Sequence, residues 1–410
     1  MDEYHFDNED INSVEKKYHI EVGHFQSNHE GEKICGDVFL SKRIPEENRV
    51  LCVLSDGMGH GVRANVLATL TATISLNFSL EHKEPNVLAG IIMKALPICS
   101  ERGLSYATYT IVDIAMENEV VSILEYDNPQ TFIMRGNRIY EPKWTPVEFE
   151  GDITEKRIGD LRKCYFTPQI EDRIVFCSDG ITQSGMGKGI VMGWGRNNLI
   201  RFVRETIEAT PTISASDLAE RVVKTASSND LHAPKDDLTC GVIYFRKPRK
   251  TIICTGPPFN LAQDNEFAMI LKNFQGKKII SGATTTEIIS RELNREVIDE
   301  TIVDPTLPPS SKMEEVDLVT EGVLTLSKVI HLLNNIKVNS NIQFGKGPAD
   351  QVCKILLESD EIYILVGTKI NESHHDPTLP VEIEIRRNLI RRLTEVLSEK
   401  FMKVIIIKYM

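Results

Sequence analysis

The chain has 410 residues, enough for two or three domains with cores of their own. Its 41% hydrophobic and 26% charged content is ordinary for a globular protein. A formal charge of −12 with no long Lys/Arg stripe argues against a nucleic-acid binder, and no apolar run is long enough to span a bilayer.

Eight cysteines stand outside CxxC spacing, mostly inside apolar runs, and read as reduced, buried thiols of a cytoplasmic protein. The start of the chain is polar and acidic, without the pattern of a signal peptide, and residues 1–16 read as a loose tail. Strands are expected over 18–26 and 33–41, the second carrying Asp37. Residues 50–54 are a continuous apolar run, short enough for a strand buried on both faces, and it stops on Ser55-Asp56-Gly57. Gly59 and Gly61 follow and let the chain turn into a helix that reaches about Leu80. Its apolar residues, among them Val62, Val66, Leu70 and Ile74, cover more than one face, so it is expected to be largely buried. Pro85 suits the first turn of a second helix ending near Cys99.

Four short strands are expected between 105 and 140, separated by turn signals at 117–118, 128–129 and 136–137. Residues 141–165 are irregular. A strand over 170–177 then ends on a second Ser-Asp-Gly, Ser178-Asp179-Gly180. Residues 185–195 hold five glycines and read as a flexible loop near the site. Helices over 197–209 and 215–226 lead to Asp236-Asp237 and a closing strand over 238–245. An aspartate at the end of a buried strand puts its carboxylate at a sheet edge, where a cation can reach it. A glycine beside it lets a carbonyl approach the same cation. Four such places, at Asp37, Asp56, Asp179 and Asp236, fit a hard-cation site assembled from several strands.

Residues 247–250 read as a linker. Beyond them strands at 251–254, 278–280, 316–319, 362–366 and 403–407 alternate with helical stretches, the pattern of an α/β domain with a mostly parallel sheet. Residues 297–313, with Pro305, Pro308 and Pro309, read as a long irregular loop. Between a strand and a helix, Ser281-Gly282-Ala283-Thr284-Thr285-Thr286 offers backbone N–H groups and the hydroxyls of Thr284, Thr285 and Thr286 to an anion. An ordinary N-cap loop explains the same residues. His374-His375-Asp376 lacks a ligand partner in spacing and reads as a solvated loop.

Gly36-Asp37, the run Asp56 to Gly61, Ser178-Asp179-Gly180 and Lys235-Asp236-Asp237-Leu238-Thr239 stand in an order that resembles the metal-dependent serine/threonine phosphatases of the type 2C superfamily. The resemblance is strongest to the SpoIIE-like branch, named after the stage II sporulation protein E, and covers about residues 18–246. Tyr106-Ala107-Thr108 and Asn128-Pro129 fit the same pattern. Asp-Gly alone is a common turn dipeptide; the weight lies in the set.

The resemblance implies an α+β fold: a phosphatase-type α-β-β-α sandwich over 17–247, followed by a smaller α/β domain over 251–410. It implies hydrolysis of phosphoserine or phosphothreonine by a water activated between two Mn²⁺ or Mg²⁺ ions. Asp56 would bridge the ions, Gly57 would give its carbonyl to one, and Asp179 and Asp236 would hold the other. Asp37 would stand at or just behind the first ion. Asp237 replaces a common asparagine and would support the ligands from behind.

His60 sits two residues beyond the histidine proposed elsewhere in the superfamily as a proton donor, and reads as a residue of the helix start or site rim. No equivalent of the substrate-holding arginine is evident; Lys33, Lys42 and Arg43 are merely near. The helices over 62–80 and 86–99 would act as a switch beneath the metal loop. The expected substrate is a phosphorylated protein such as an anti-sigma-factor antagonist, with no nucleic acid and no membrane as partner; a homodimer stays open. The rival expectation is a catalytically weak phosphatase-like sensor or scaffold working through the C-terminal domain.

Overall fold

The structure, a computed structural model, describes residues 18–81, 84–95, 107–147, 161–301, 303–304, 306–336, 344–369 and 379–410. The expected tail over 1–16, Cys99, Tyr106 and the 374–376 triplet lie outside these residues. The chain divides into two compact units, Lys17–Lys247 and Pro248–Met410.

The first unit begins β1 (His19–Ser27), β2 (Asp37–Ile44), β3 (Arg49–Gly57), α1 (Gly61–Leu80) and α2 (Pro85–Ala95). It continues β4 (Ala107–Ala115), β5 (Val120–Tyr126), β6 (Phe132–Arg135), β7 (Arg138–Tyr140), β8 (Thr145–Pro146), β9 (Leu161–Phe166) and β10 (Asp172–Cys177). The short α3 (Asp179–Gln183), then α4 (Arg196–Ala209), α5 (Ala215–Asn229) and β11 (Leu238–Arg246) complete it.

Two antiparallel sheets result, ordered β2-β3-β4-β5-β9-β8 and β1-β11-β10-β6-β7. Side chains alternate faces along a strand. Cys52 and Leu54 of β3 therefore join Ile174, Phe176 and Ile243 of the other sheet in the layer between the sheets. Val53, on the other face of β3, packs with Ala72 of α1 and Leu88 and Ile92 of α2. Val175 and Val242 face α4 and α5, through Leu199, Val203, Leu218 and Val222. Each such fully buried aliphatic side chain stabilises the unit by about 1.5–3 kcal/mol relative to exposure. The layers are helix, sheet, sheet, helix.

Three readings need correction. Residues 33–36 are not strand; β2 opens on Asp37 itself. Within 141–165, residues from Leu161 onward are ladder, Ile123 of β5 opposite Cys164 of β9. And α1 is not largely buried through its large apolar residues: it turns Gly61, Ala64, Ala68, Thr71, Ala72, Ser75 and Ser79 inward, Ile74, Leu76 and Phe78 are only partly buried, and Val62 and Val66 are about 60% exposed. Small side chains let the helix axis approach the strand beneath closely. Its C-terminal end is tied down by buried Arg49, whose guanidinium donates to both Asp113 oxygens and to the Ser79 carbonyl at 2.7–2.8 Å.

The second unit contains β12 (Lys250–Thr255), α6 (Asp264–Asn273), β13 (Lys277–Ser281), α7 (Ala283–Leu293), β14 (Val297–Asp299) and β15 (Ser311–Met313). It ends β16 (Val316–Thr320), α8 (Val323–Asn335), α9 (Pro348–Glu358), β17 (Glu361–Val366), α10 (Leu379–Glu395) and β18 (Val404–Tyr409). One sheet runs β14-β15-β16-β13-β12-β17-β18, parallel from β16 to β18. α6 and α7 cover one face; α8, α9 and α10 cover the other. The expected irregular loop over 297–313 instead contributes the antiparallel pair β14–β15. Among the described residues no helix is long and apolar enough to cross a membrane.

Candidate metal centre

β2 and β3 pair antiparallel so that Asp37 lies directly opposite Asp56. In the other sheet β10 and β11 pair with Cys177 opposite Cys240, and one step further the Ser178 N–H donates to the Thr239 carbonyl. Beyond that ladder Asp179 opens α3, and Asp236-Asp237 precedes β11. The four carboxylates therefore come from strand ends of both sheets and meet at one edge of the sandwich. Asp56 feels the charges of Asp37, Asp179 and Asp236.

Close backbone approach shapes the same edge. A Cβ on Gly57 would stand 2.0 Å from the Ala64 carbonyl oxygen of α1, and one on Gly180 would stand 2.3 Å from the Asp237 carbonyl. One on Gly36 would meet an Asp237 carboxylate oxygen at 2.6 Å. Only glycine fits these positions.

The electrostatics are those of crowded, desolvated carboxylates. Burial, then the charges of Asp237 and Asp236, push Asp37 up to about 7, although the hydroxyls of Thr239 and Ser178 stand near enough to favour its charged form. Burial and the Asp179 charge push Asp236 up to about 6. Burial followed by the neighbouring carboxylates raises Asp56 well above the usual range, and burial raises Asp179. Both Asp37 carboxylate oxygens and one of Asp237 are buried with no hydrogen-bond partner of good geometry. Buried polar atoms are rarely left so, and a divalent cation would both partner them and relieve the repulsion.

The donors are all oxygen, which suits Mg²⁺ or Mn²⁺. Among the described residues no group of three or more His, Cys, Asp or Glu side chains is placed so that it could hold a metal ion as it stands.

Sequence reasoning missed the groups around this edge. Gln183 Nε2 donates to Asp179 Oδ2 at 2.6 Å from four residues further along the same helix. The i, i+4 spacing was the available signal. The His29 N–H donates to Asp237 Oδ1 at 3.0 Å, and Gln26 Nε2 links the Asp37 carbonyl to Thr239 Oγ1. His60 is at the N-cap of α1, half exposed, with Nδ1 2.8 Å from Glu32 Oε1 and its ring stacked on His29 at 4.4 Å. Asn128 bridges Thr108 and Thr110 on β4.

The loop over 185–195 is held beside this edge. Lys188 donates to the carbonyls of Asp230 and Ala233, and Lys235 to that of Met186. Thr284, Thr285 and Thr286, the residues offered to an anion, are in the second unit. They lie inside the first turn of α7 rather than in a loop, and Thr286 Oγ1 donates to the Gly282 carbonyl. Of the seven described cysteines all are unpaired, six of them buried.

Residues 46–246 match the family model described as stage II sporulation protein E (SpoIIE). Over 71 residues the chain is 34% identical to the phosphoserine phosphatase RsbX of Bacillus subtilis (strain 168), 17% of this chain and 35% of that protein. The chain thus spans about a third of the length of this curated relative. Among solved structures, the phosphatase domain of SpoIIE from Bacillus subtilis is 17% identical, with a TM-score of 0.43 over 56% of this chain and 94% of that one. RsbX in complex with magnesium is also 17% identical, with a TM-score of 0.38 over 56% of this chain and 97% of that one.

Proposed function

Since residues 46–246 match the family model of stage II sporulation protein E, we propose that the first unit is a metal-dependent protein phosphatase acting on phosphoserine or phosphothreonine. The observation that supports this reading most is the convergence of Asp37, Asp56, Asp179 and Asp236 at one edge, where both oxygens of Asp37 are buried and unpartnered. Asp37, Asp56, Asp179, Asp236 and the Gly57 carbonyl would hold two Mg²⁺ or Mn²⁺ ions.

When bound, the ions supply a water nucleophile near neutral pH and offset the charge on the phosphoryl oxygens. The chain's own contribution is positional. Asp37 and Asp56 are fixed in register by the β2–β3 ladder, Gln183 orients the Asp179 carboxylate, and Asp237 is pinned from behind by the His29 amide. Lys235 offers the substrate phosphate a cation beside Asp236. A cytoplasmic location, and a phosphorylated regulatory protein such as an anti-sigma-factor antagonist as substrate, accompany this reading.

The test is hydrolysis of an aryl phosphate and of a phosphoserine peptide with and without Mn²⁺. Turnover should need the metal and fall by orders of magnitude in Asp56→Ala and Asp179→Asn. Turnover that survives chelation, or survives both substitutions, refutes the reading.

A further inference from the structure

The acidic edge has an apolar neighbour that holding metal does not call for. Val191 and Met192 are 86% and 83% exposed, Leu231 is 71% exposed, and Met186 is exposed as well. A single exposed apolar side chain is ordinary on a protein surface. These four lie on two segments, residues 185–195 and 230–235, that are tied to each other and to the edge.

The ties are specific. The Lys188 ammonium donates to the carbonyls of Asp230 and Ala233 at 2.6 Å each, on either side of Leu231 in the chain. Lys235 donates to the Met186 carbonyl, and the buried Asp230 carboxylate accepts the Gly185 N–H at 2.7 Å. Met186 is bridged to Ile190, the residue before the exposed pair. These contacts bring the exposed side chains of both segments to one surface, and Lys235 leads directly into Asp236.

The exposed pair is not the tip of a loose loop. Val191 and Met192 are the two central residues of a turn closed by the Gly193 N–H on the Ile190 carbonyl. Ile190 turns inward, where its side chain fills the space that a Cβ on Gly185 would need. At the other foot the Trp194 N–H donates to the Ser184 carbonyl at 2.9 Å, and Trp194 belongs to the core that includes Leu199 and Val203. A Cβ on Gly193 would stand 2.8 Å from the Thr182 carbonyl oxygen, so the turn rests on α3. Asp179 opens that helix, and Gln183, which holds the Asp179 carboxylate, closes it. Four residues of helix rise about 6 Å, the length of about two residues of extended chain.

Folding does not account for these side chains. Turn centres favour Gly, Asn, Asp and Ser, yet this one carries Val and Met and buries neither. Leu231 and His232 follow α5 at φ +56 and +61, in the left-handed region that favours glycine and asparagine. Exposed apolar groups gathered in this way mark a surface that another molecule covers, and the unbranched side chain of methionine adapts to what it meets.

Position decides the occupant. A phosphoserine whose phosphate reaches Asp56 and Asp236 brings its own flanking chain across the same edge, where the two apolar segments adjoin Asp179 and Asp236. We infer that Met186, Val191, Met192 and Leu231 receive apolar side chains about two residues from the phosphorylated one, so that the substrate is a phosphoprotein whose phosphoserine or phosphothreonine is flanked by apolar residues. This rests on the phosphatase reading and narrows it.

The test gives the full chain, with Mn²⁺, three substrates: an aryl phosphate, a phosphoserine peptide flanked by alanines, and the same peptide flanked by leucines. The leucine peptide should have a KM at least about tenfold lower than the alanine peptide, the worth of covering one or two apolar side chains. Val191→Ser combined with Met192→Ser should erase that preference through KM rather than kcat. The aryl phosphate has no flanking chain and should be turned over at the parent rate. Serine suits a turn, so the melting midpoint should hold. Leu231→Asn should weaken the leucine peptide while raising the melting temperature, because asparagine accepts the left-handed backbone; a leucine kept for folding would do the reverse. Sedimentation velocity separates the other occupant, a second copy of this chain: a parent dimer that the double serine variant dissociates overturns the inference. It is equally overturned if the aryl phosphate is hydrolysed and the two peptides share one KM, or if the double variant keeps the parent's preference. Absence of metal-dependent turnover of all three substrates would instead sink the phosphatase reading itself, and this inference with it.

Discussion

Stripped of metal, the first unit should become less stable as pH rises, the reverse of the usual behaviour of paired carboxylates. Asp37 is 2% exposed, and its carboxyl is pushed from 3.8 to about 7 by burial and by neighbouring aspartates. Between about pH 4 and pH 7 the folded state then keeps a proton that the unfolded chain has released, so stability declines with rising pH across that window. A gap of about three pH units corresponds to about 4 kcal/mol. The other raised aspartates repel the same charges, so their contributions overlap rather than add. Against a typical total of about 5–15 kcal/mol the effect is large.

Both tryptophans, Trp144 and Trp194, lie in the first unit, so their fluorescence during urea unfolding isolates it. In EDTA the midpoint should be lower at about pH 8 than at about pH 5. Asp37→Asn should flatten the difference, and excess Mg²⁺ should raise the higher-pH midpoint. A midpoint that is flat or rises with pH in EDTA, with Asp37→Asn behaving like the parent chain, refutes the argument.

Three further outcomes follow from particular contacts. Gly57→Ala drives a Cβ into the Ala64 carbonyl; it should lower stability by about 1–3 kcal/mol and weaken Mg²⁺ binding, read by thermal melting and metal titration. Gln183→Leu removes the 2.6 Å donor from Asp179. It should cost about 10–100-fold in metal affinity with almost unchanged melting, and unaltered metal affinity would show that Asp179 is oriented otherwise. Arg162→Met strips the 2.8 Å partner from fully buried Glu125, which then keeps the Thr131 N–H. Chemical denaturation should show a loss of about 3–5 kcal/mol, most of it restored by adding Glu125→Gln.

The acidic edge could be read from the chain because each aspartate marks the boundary between an apolar run and a turn, and strand ends of one sandwich edge must be neighbours. Gln26, His29 and Glu32 could not, since isolated polar residues in loops and strand ends leave no period to detect. The inward face of α1 was misread for an energetic reason. Val62, Val66 and Leu70 form the more hydrophobic i, i+4 stripe, but the tight seam against β3 accepts only small residues, so contact distance outweighed hydrophobicity. The β14–β15 pair was hidden by its brevity, three residues each, and by the prolines between.

That seam also governs how α1 can travel. Gly61, Ala64, Ala68, Ala72, Ser75 and Ser79 recur about once per turn along the inner face, with bulkier residues between them. A screw motion of one residue, about 1.5 Å of travel with about 100° of rotation, would bring Arg63 or Asn65 onto Gly57, where even a methyl group has no room. A slide of a whole turn, about 5.4 Å, would present another small residue to the same spot. The helix rests in a row of notches, so any displacement beside Asp56 comes as a discrete click rather than a gradual drift.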